Sequence, residues 1–169
     1  MRALALVTIF ACLSGCASTY ATREIVAPDV KLQKDRSVAI AVPENGAYGG
    51  REYSSSGRAT ALAVRAAFAS YSSDTTVISA CKSLRCLKEQ APFATYFVVP
   101  EILRWEDRVT EWSGKKDKIE VKLSIFGSEN EESLASTVLS GKSKWATFGG
   151  DHPEDLLPIA TKNFVESLY

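Results

Sequence analysis

Apolar and polar positions alternate with two different periods along this chain, and the change of period separates its elements. Ser37 to Val42 (SVAIAV) is a short β-branched run ending at Pro43, followed by a Gly and Ser cluster (ENGAYGGREYSSSG), which predicts a strand and then a loop. In RATALAVRAAFASY, Ala61, Val64, Phe68 and Tyr71 recur at helical spacing, with Ser54 to Ser56 as candidate caps. Thr75 to Ala80 (TTVISA) reads as a second strand. A strand-helix-strand unit of this length predicts a parallel pair with the helix across one face. A short helix through Gln90 comes next, and from Ala94 the pattern turns to long strands. Phe97, Val99, Leu103 and Trp105 share one parity, and Pro100 favours an edge or a bulge. In KIEVKLSIF, Ile119, Val121, Leu123 and Ile125 point one way and Glu120, Lys122 and Ser124 the other, which predicts a sheet with one wet face. Leu134 to Phe148 completes a meander whose turns are WSGKKDK and GSENEES. Leu157, Ala160, Phe164 and Leu168 form the stripe of a closing helix, with Pro158 tolerated in its first turn. The fold class expected is α/β (α+β): a mixed sheet with a strand-helix-strand start, an antiparallel three-strand meander and a C-terminal helix.

The beginning of the chain follows neither period. Arg2 precedes an apolar run from Ala3 to Leu13, far shorter than the roughly 20 residues a spanning helix needs. A positive start, a short apolar core and small residues at its exit have the layout of a signal peptide. Leu13-Ser14-Gly15-Cys16 resembles the lipobox of bacterial lipoproteins. That resemblance implies cleavage between Gly15 and Cys16, and a diacylglyceryl and an N-acyl lipid on Cys16, which would then hold the chain to a membrane; Cys12 would leave with the signal. Stable attachment needs more than one acyl chain, as such lipoproteins carry. Ala17, where aspartate tends to retain such proteins in the inner membrane, implies the outer membrane; the residues do not encode the leaflet face, and a periplasm-facing domain is the expectation. Residues 17–36 are mixed and polar around Pro28, and read as a flexible tether spanning roughly 25 Å. The expected division is 1–15 signal peptide, 16–36 lipidated cysteine and tether, and 37–169 periplasmic domain.

Composition narrows the function. Lys plus Arg number 20 against 20 Asp plus Glu, so charge predicts no nucleic-acid partner. The 46% hydrophobic and 9% aromatic content is that of a globular domain. Cys81 and Cys86, in CKSLRC, would lie in an oxidising compartment, where a disulfide is the first expectation and two unpaired thiols the alternative. Five residues along an α-helix turn about 140° from the starting face, so a bridge requires a loop or broken turn. No Cys-x-x-Cys is present to suggest redox or metal chemistry.

The order of elements, with SVAIAV, the Ser-Gly approach to the first helix, ATYFVVPEILRWEDR and KIEVKLSIFGSENEESLAST, resembles an envelope domain. It occurs in the amino-terminal domain of TolB, the curli secretion lipoprotein CsgG and the penicillin-binding-protein activator lipoprotein LpoB. YFVVPEILRWEDR with GKSKWATFGGDHPEDLLP resembles more closely a family of uncharacterised proteobacterial lipoproteins with a domain of unknown function, over nearly all of residues 37–169. The chain has no propeller as in TolB, no membrane-spanning hairpins as in CsgG and no long Pro-rich tether as in LpoB. The resemblance thus implies an envelope assembly or regulatory module without naming a partner.

Candidate chemistry is sparse. His152, the single histidine, lies in DHPED, where Asp151 and Glu154 read as a helix cap and capping box rather than a metal or acid-base site. GAYGGREYSSSGR matches no nucleotide-binding pattern and reads first as a plain flexible connection; the alternative is an anion or partner contact through Arg51 and Arg58 near a helix start. With no G-x-S-x-G elbow, no catalytic residue, metal or cofactor is expected. Of the tryptophans, Trp105 and Trp145 read as core or strand residues, while Trp112, at a charged hairpin tip, is a candidate partner anchor. The expected function is a non-catalytic lipoprotein binding an envelope protein or cell-wall partner. The alternatives are a self-assembling homo-oligomer and, further off, a small-ligand-binding module or a hydrolase.

Overall fold

The computed structural model describes residues 18–29, 31–108, 116–129, 131–144 and 152–169. Among these residues, eight strands and three helices follow in the order β1 (Thr19–Val26), β2 (Val38–Ala41), β3 (Ala47–Tyr48), β4 (Arg51–Glu52), α1 (Ser56–Phe68), β5 (Thr75–Ile78), α2 (Leu84–Gln90), β6 (Tyr96–Glu106), β7 (Lys118–Gly127), β8 (Ser133–Lys142), a 3-10 turn (Pro153–Leu156) and α3 (Leu157–Leu168). Six strands form one mixed sheet in the order β1-β8-β7-β6-β2-β5, and β3 and β4 form a separate two-residue hairpin. β2 runs parallel to both β5 and β6, and β6, β7 and β8 are the antiparallel meander. This is the mixed architecture that the alternation of periods predicts.

Helices α1 and α3 pack on one face of the sheet. Ala61, Val64 and Phe68 of α1 meet Leu157, Phe164 and Leu168 of α3, together with Ile119, Val121, Leu123 and Ile125. Each fully buried aliphatic or aromatic side chain contributes about 1.5–3 kcal/mol, so this layer dominates stability. Among the described residues the other face is covered where α2 lies, with Leu87 against Ala39, Ala41, Phe97 and Ala94. Further along that face Glu120 and Lys122 of β7 reach solvent, the wet side of the meander.

Three expectations are corrected. Residues 19–26 lie within the segment read as tether, yet they form β1, an edge strand paired antiparallel to β8 with Thr19 opposite Lys142. Thr, Tyr, Ile and Val favour a strand there, and Arg23 and Glu24 are the polar residues that suit an exposed edge. Leu32 and Gln33 of the segment are pinned too: Leu32 N–H donates to the Leu168 carbonyl at 2.8 Å and Gln33 N–H to the Tyr96 hydroxyl at 3.0 Å. Second, β6 does not keep one parity. A bulge between Ile102 and Arg104 moves Trp105 onto the helix-covered face, opposite Ile119, whereas Phe97 faces α2. Pro100 is accommodated because β2 pairs with β6 only as far as Val98. Third, the cap before α3 lies one residue later than expected. Asp155 accepts from the His152 N–H at 3.0 Å, ahead of the 3-10 turn rather than of the helix itself; Asp151 lies outside the described residues.

Candidate functional site: the charged end of the meander

The ends of four strands line up at one edge of the sheet. Glu106 is opposite Lys118, Lys118 opposite Lys142, and Lys142 opposite Thr19. Antiparallel pairing sets this row, and the period-2 pattern of β7 sends Lys118 to the wet face beside Ile119 in the core.

Glu106 is the focus of the row, only 7% exposed. Its carboxylate accepts from Arg108 Nη2 at 2.8 Å and Nε at 3.2 Å, with Arg104 Nε at 3.6 Å and Lys118 Nζ at 3.9 Å. Burial alone would raise its pKa, but the Arg108 hydrogen bond and the charges of Lys118, Arg108 and Arg104 outweigh it, holding the carboxyl below its usual range. Arg104 also reaches Glu120 at 3.3 Å. A second lacing closes the strand ends: Arg108 N–H donates to Asp117 Oδ1 at 2.6 Å, Asp117 N–H to Ser143 Oγ at 2.9 Å, and Ser143 N–H to the Asp117 carbonyl at 3.0 Å.

The β3–β4 hairpin leans on this end. The Arg108 guanidinium lies 5.4 Å from the Tyr48 ring centroid, and Arg51 lies 5.2 Å from that of Tyr53. Tyr53 Oη donates to the Asp107 carbonyl at 3.2 Å. Ser56 Oγ accepts from Gly46 N–H at 2.8 Å and donates to the Tyr53 carbonyl at 2.7 Å, fixing the hairpin to the start of α1. Gly46 is required by close approach, since a Cβ there would run into Trp105 Cβ. Between hairpin, helix and sheet lies a cleft of about 190 Å³ lined by Arg51, Tyr53, Ser55, Trp105, Asp107 and Glu154 among others. Its charges are mixed, which suits no simple anion.

Of the residues singled out from sequence, Arg51 lines this cleft. Arg58 is an exposed residue of the first turn of α1 and does not line it, so the two arginines are not brought to one point. Trp105 is buried in the core. Cys16, Gly15, Trp112 and Trp145 lie outside the described residues. Cys81 and Cys86 are joined by a disulfide with a Cα separation of 5.3 Å. Cys81 precedes the helix cap Ser83 and Cys86 sits in the first turn of α2, so the bridge crosses a helix start, where the geometry allows it. Among the described residues no group of three or more His, Cys, Asp or Glu is placed to hold a metal. Sequence reading missed the Glu106 cluster. The alternation of like and unlike charge across RWEDR and KKDK was its only signal, and the strand register that joins those segments is not written in either one.

Solved structures sharing this fold include the PelC dodecamer from Paraburkholderia phytofirmans, at 13% identity and TM-score 0.68 over 89% of this chain and 97% of that one. A Xanthomonas campestris protein of the DUF330 family matches at 16% identity and TM-score 0.53, over 85% of this chain and 93% of that one. Comparison with curated proteins gives no match. The model of DUF4823, a domain of unknown function, matches residues 30–168, which include the meander, the Glu106 cluster and all three helices, and the chain belongs to that family.

Proposed function

We propose that this chain is an outer-membrane lipoprotein, anchored through acyl chains on Cys16, whose periplasmic domain is a non-catalytic assembly module built from several copies of itself. The observation that carries the reading is the correspondence of nearly the whole domain to a PelC chain that assembles as a dodecamer. Among the described residues the outer edges of β1 and β5 are unpaired, which supports it, since an open sheet edge is a template for a second chain. The lipobox-like LSGC and the resemblance of SVAIAV and ATYFVVPEILRWEDR to envelope domains support the location. An envelope protein or cell-wall partner would then be engaged by the assembly rather than by a single copy.

The test is native mass measurement of the full chain extracted from membranes in mild detergent. The expected result is one discrete multimer, unchanged over a hundredfold dilution, with acyl mass on the residue at position 16. A monomer at every concentration would remove the assembly reading, and an unmodified cysteine would remove the anchor.

A further inference from the structure

Resting on the lipid-anchor reading above, we infer that the lysine-bearing end of the sheet is the membrane-facing surface and docks on anionic phospholipid headgroups of the same bilayer. Placement is the first ground. Thr19 begins β1 and pairs with Lys142. From Cys16 to Thr19 is three residues, at most about 11 Å of extended chain. An acylated Cys16 therefore cannot hold the domain off at a distance; it brings this end, and no other, against the headgroups.

Charge is the second ground. Lys118 and Lys142 stand directly opposite each other on the wet face, a like-charge pairing that destabilises a sheet. Glu106 relieves Lys118 on one side, but the residue across from Lys142 on its other side is Thr19. Among the described residues neither Lys142 nor Lys144 has an ion-pair partner, and both are exposed. Lys116 lies in the same strand approach. An anionic surface supplies the counter-charge the fold omits.

Polarity is the third ground. The turn at the opposite end of the meander carries exposed Glu129, Glu131 and Glu132. Ten-residue strands separate the two ends by about 30 Å, several times the roughly 10 Å screening length at 0.1 M salt. Exposed charge thus differs in sign between the two ends, with Lys142 and Lys144 at one and three glutamates at the other.

The test is amine acetylation of the full lipidated chain in nanodiscs of phosphatidylcholine alone or with one quarter phosphatidylglycerol. Lys142 and Lys144 should react about fivefold more slowly in the anionic discs, the change expected from ~1 kcal/mol per basic side chain at such a surface. Lys162, on α3, should not change. Equal rates in both discs, or slowing of Lys162 as well, would overturn the assignment. Slowing in neutral discs to the same degree would also overturn it, giving the patch to a second copy of the chain. If intact mass shows Cys16 unacylated, the anchor reading fails separately. The same chain is then floated with the two vesicle compositions: flotation that requires phosphatidylglycerol and is lost in a Lys142→Glu/Lys144→Glu variant upholds the surface, and its absence overturns it.

Discussion

Glu106 keeps a carboxylate at 7% exposure beside Arg108, Arg104 and Lys118, an arrangement that holds only while the group is ionised. Because its pKa is lowered in the folded chain, the folded state binds fewer protons than the unfolded one. Its stabilising contribution is present above the unfolded carboxyl value and is lost as pH falls through the lower folded value. Glu106→Gln should therefore cost about 1.5–3 kcal/mol at neutral pH, the range for hydrogen bonds to charged groups. It should cost less at pH 3 than at pH 7, so urea unfolding at the two pH values gives a difference that narrows with acid. Residue-level chemistry of this kind was half legible. Buried hydrophobes of β7 could be named one by one from their alternation, whereas the parity of Trp105 could not, because a bulge at Leu103 leaves no mark in the apolar pattern.

At the scale of elements, α2 is the piece held least by packing. Only Leu87 is fully buried on it, and the Cys81–Cys86 bridge ties its first turn to the end of β5. A loop of about six residues closed by a disulfide stabilises by about 2 kcal/mol through the unfolded chain. Cys81→Ser/Cys86→Ser should lower stability by that amount, and amide exchange should quicken first over Leu84–Gln90. The bridge was foreseeable from the oxidising compartment expected for the chain, and helix geometry restricted it to a loop or broken turn. β1 was not, since an exposed edge strand needs no alternating apolar face and TYATREIV has none. What makes it a strand is β8, more than a hundred residues away in sequence.

For the molecule as a whole, charge is balanced in number and separated in space. A protein with 20 charges of each sign spread evenly would pass through a cation exchanger at pH 7. This one should be retained at low salt through the exposed Lys142 and Lys144, and a Lys142→Glu/Lys144→Glu variant should elute in the flow-through; a common elution position would show that the two ends do not act separately. The meander was legible as strands, but the placing of charge depends on register, which brings Lys116, Lys118, Lys142 and Lys144 to one end.

The pairing of Thr19 with Lys142 at the very start of β1 also has a mechanical side. Any load applied to the chain before Thr19 enters the sheet at this pair. A pull along the strand axis loads the β1–β8 hydrogen bonds together, in shear, whereas a sideways pull opens them one after another from Thr19. The domain is thus stiff to tension in one direction and tears like a zip in the other, and β1 is the part that gives first.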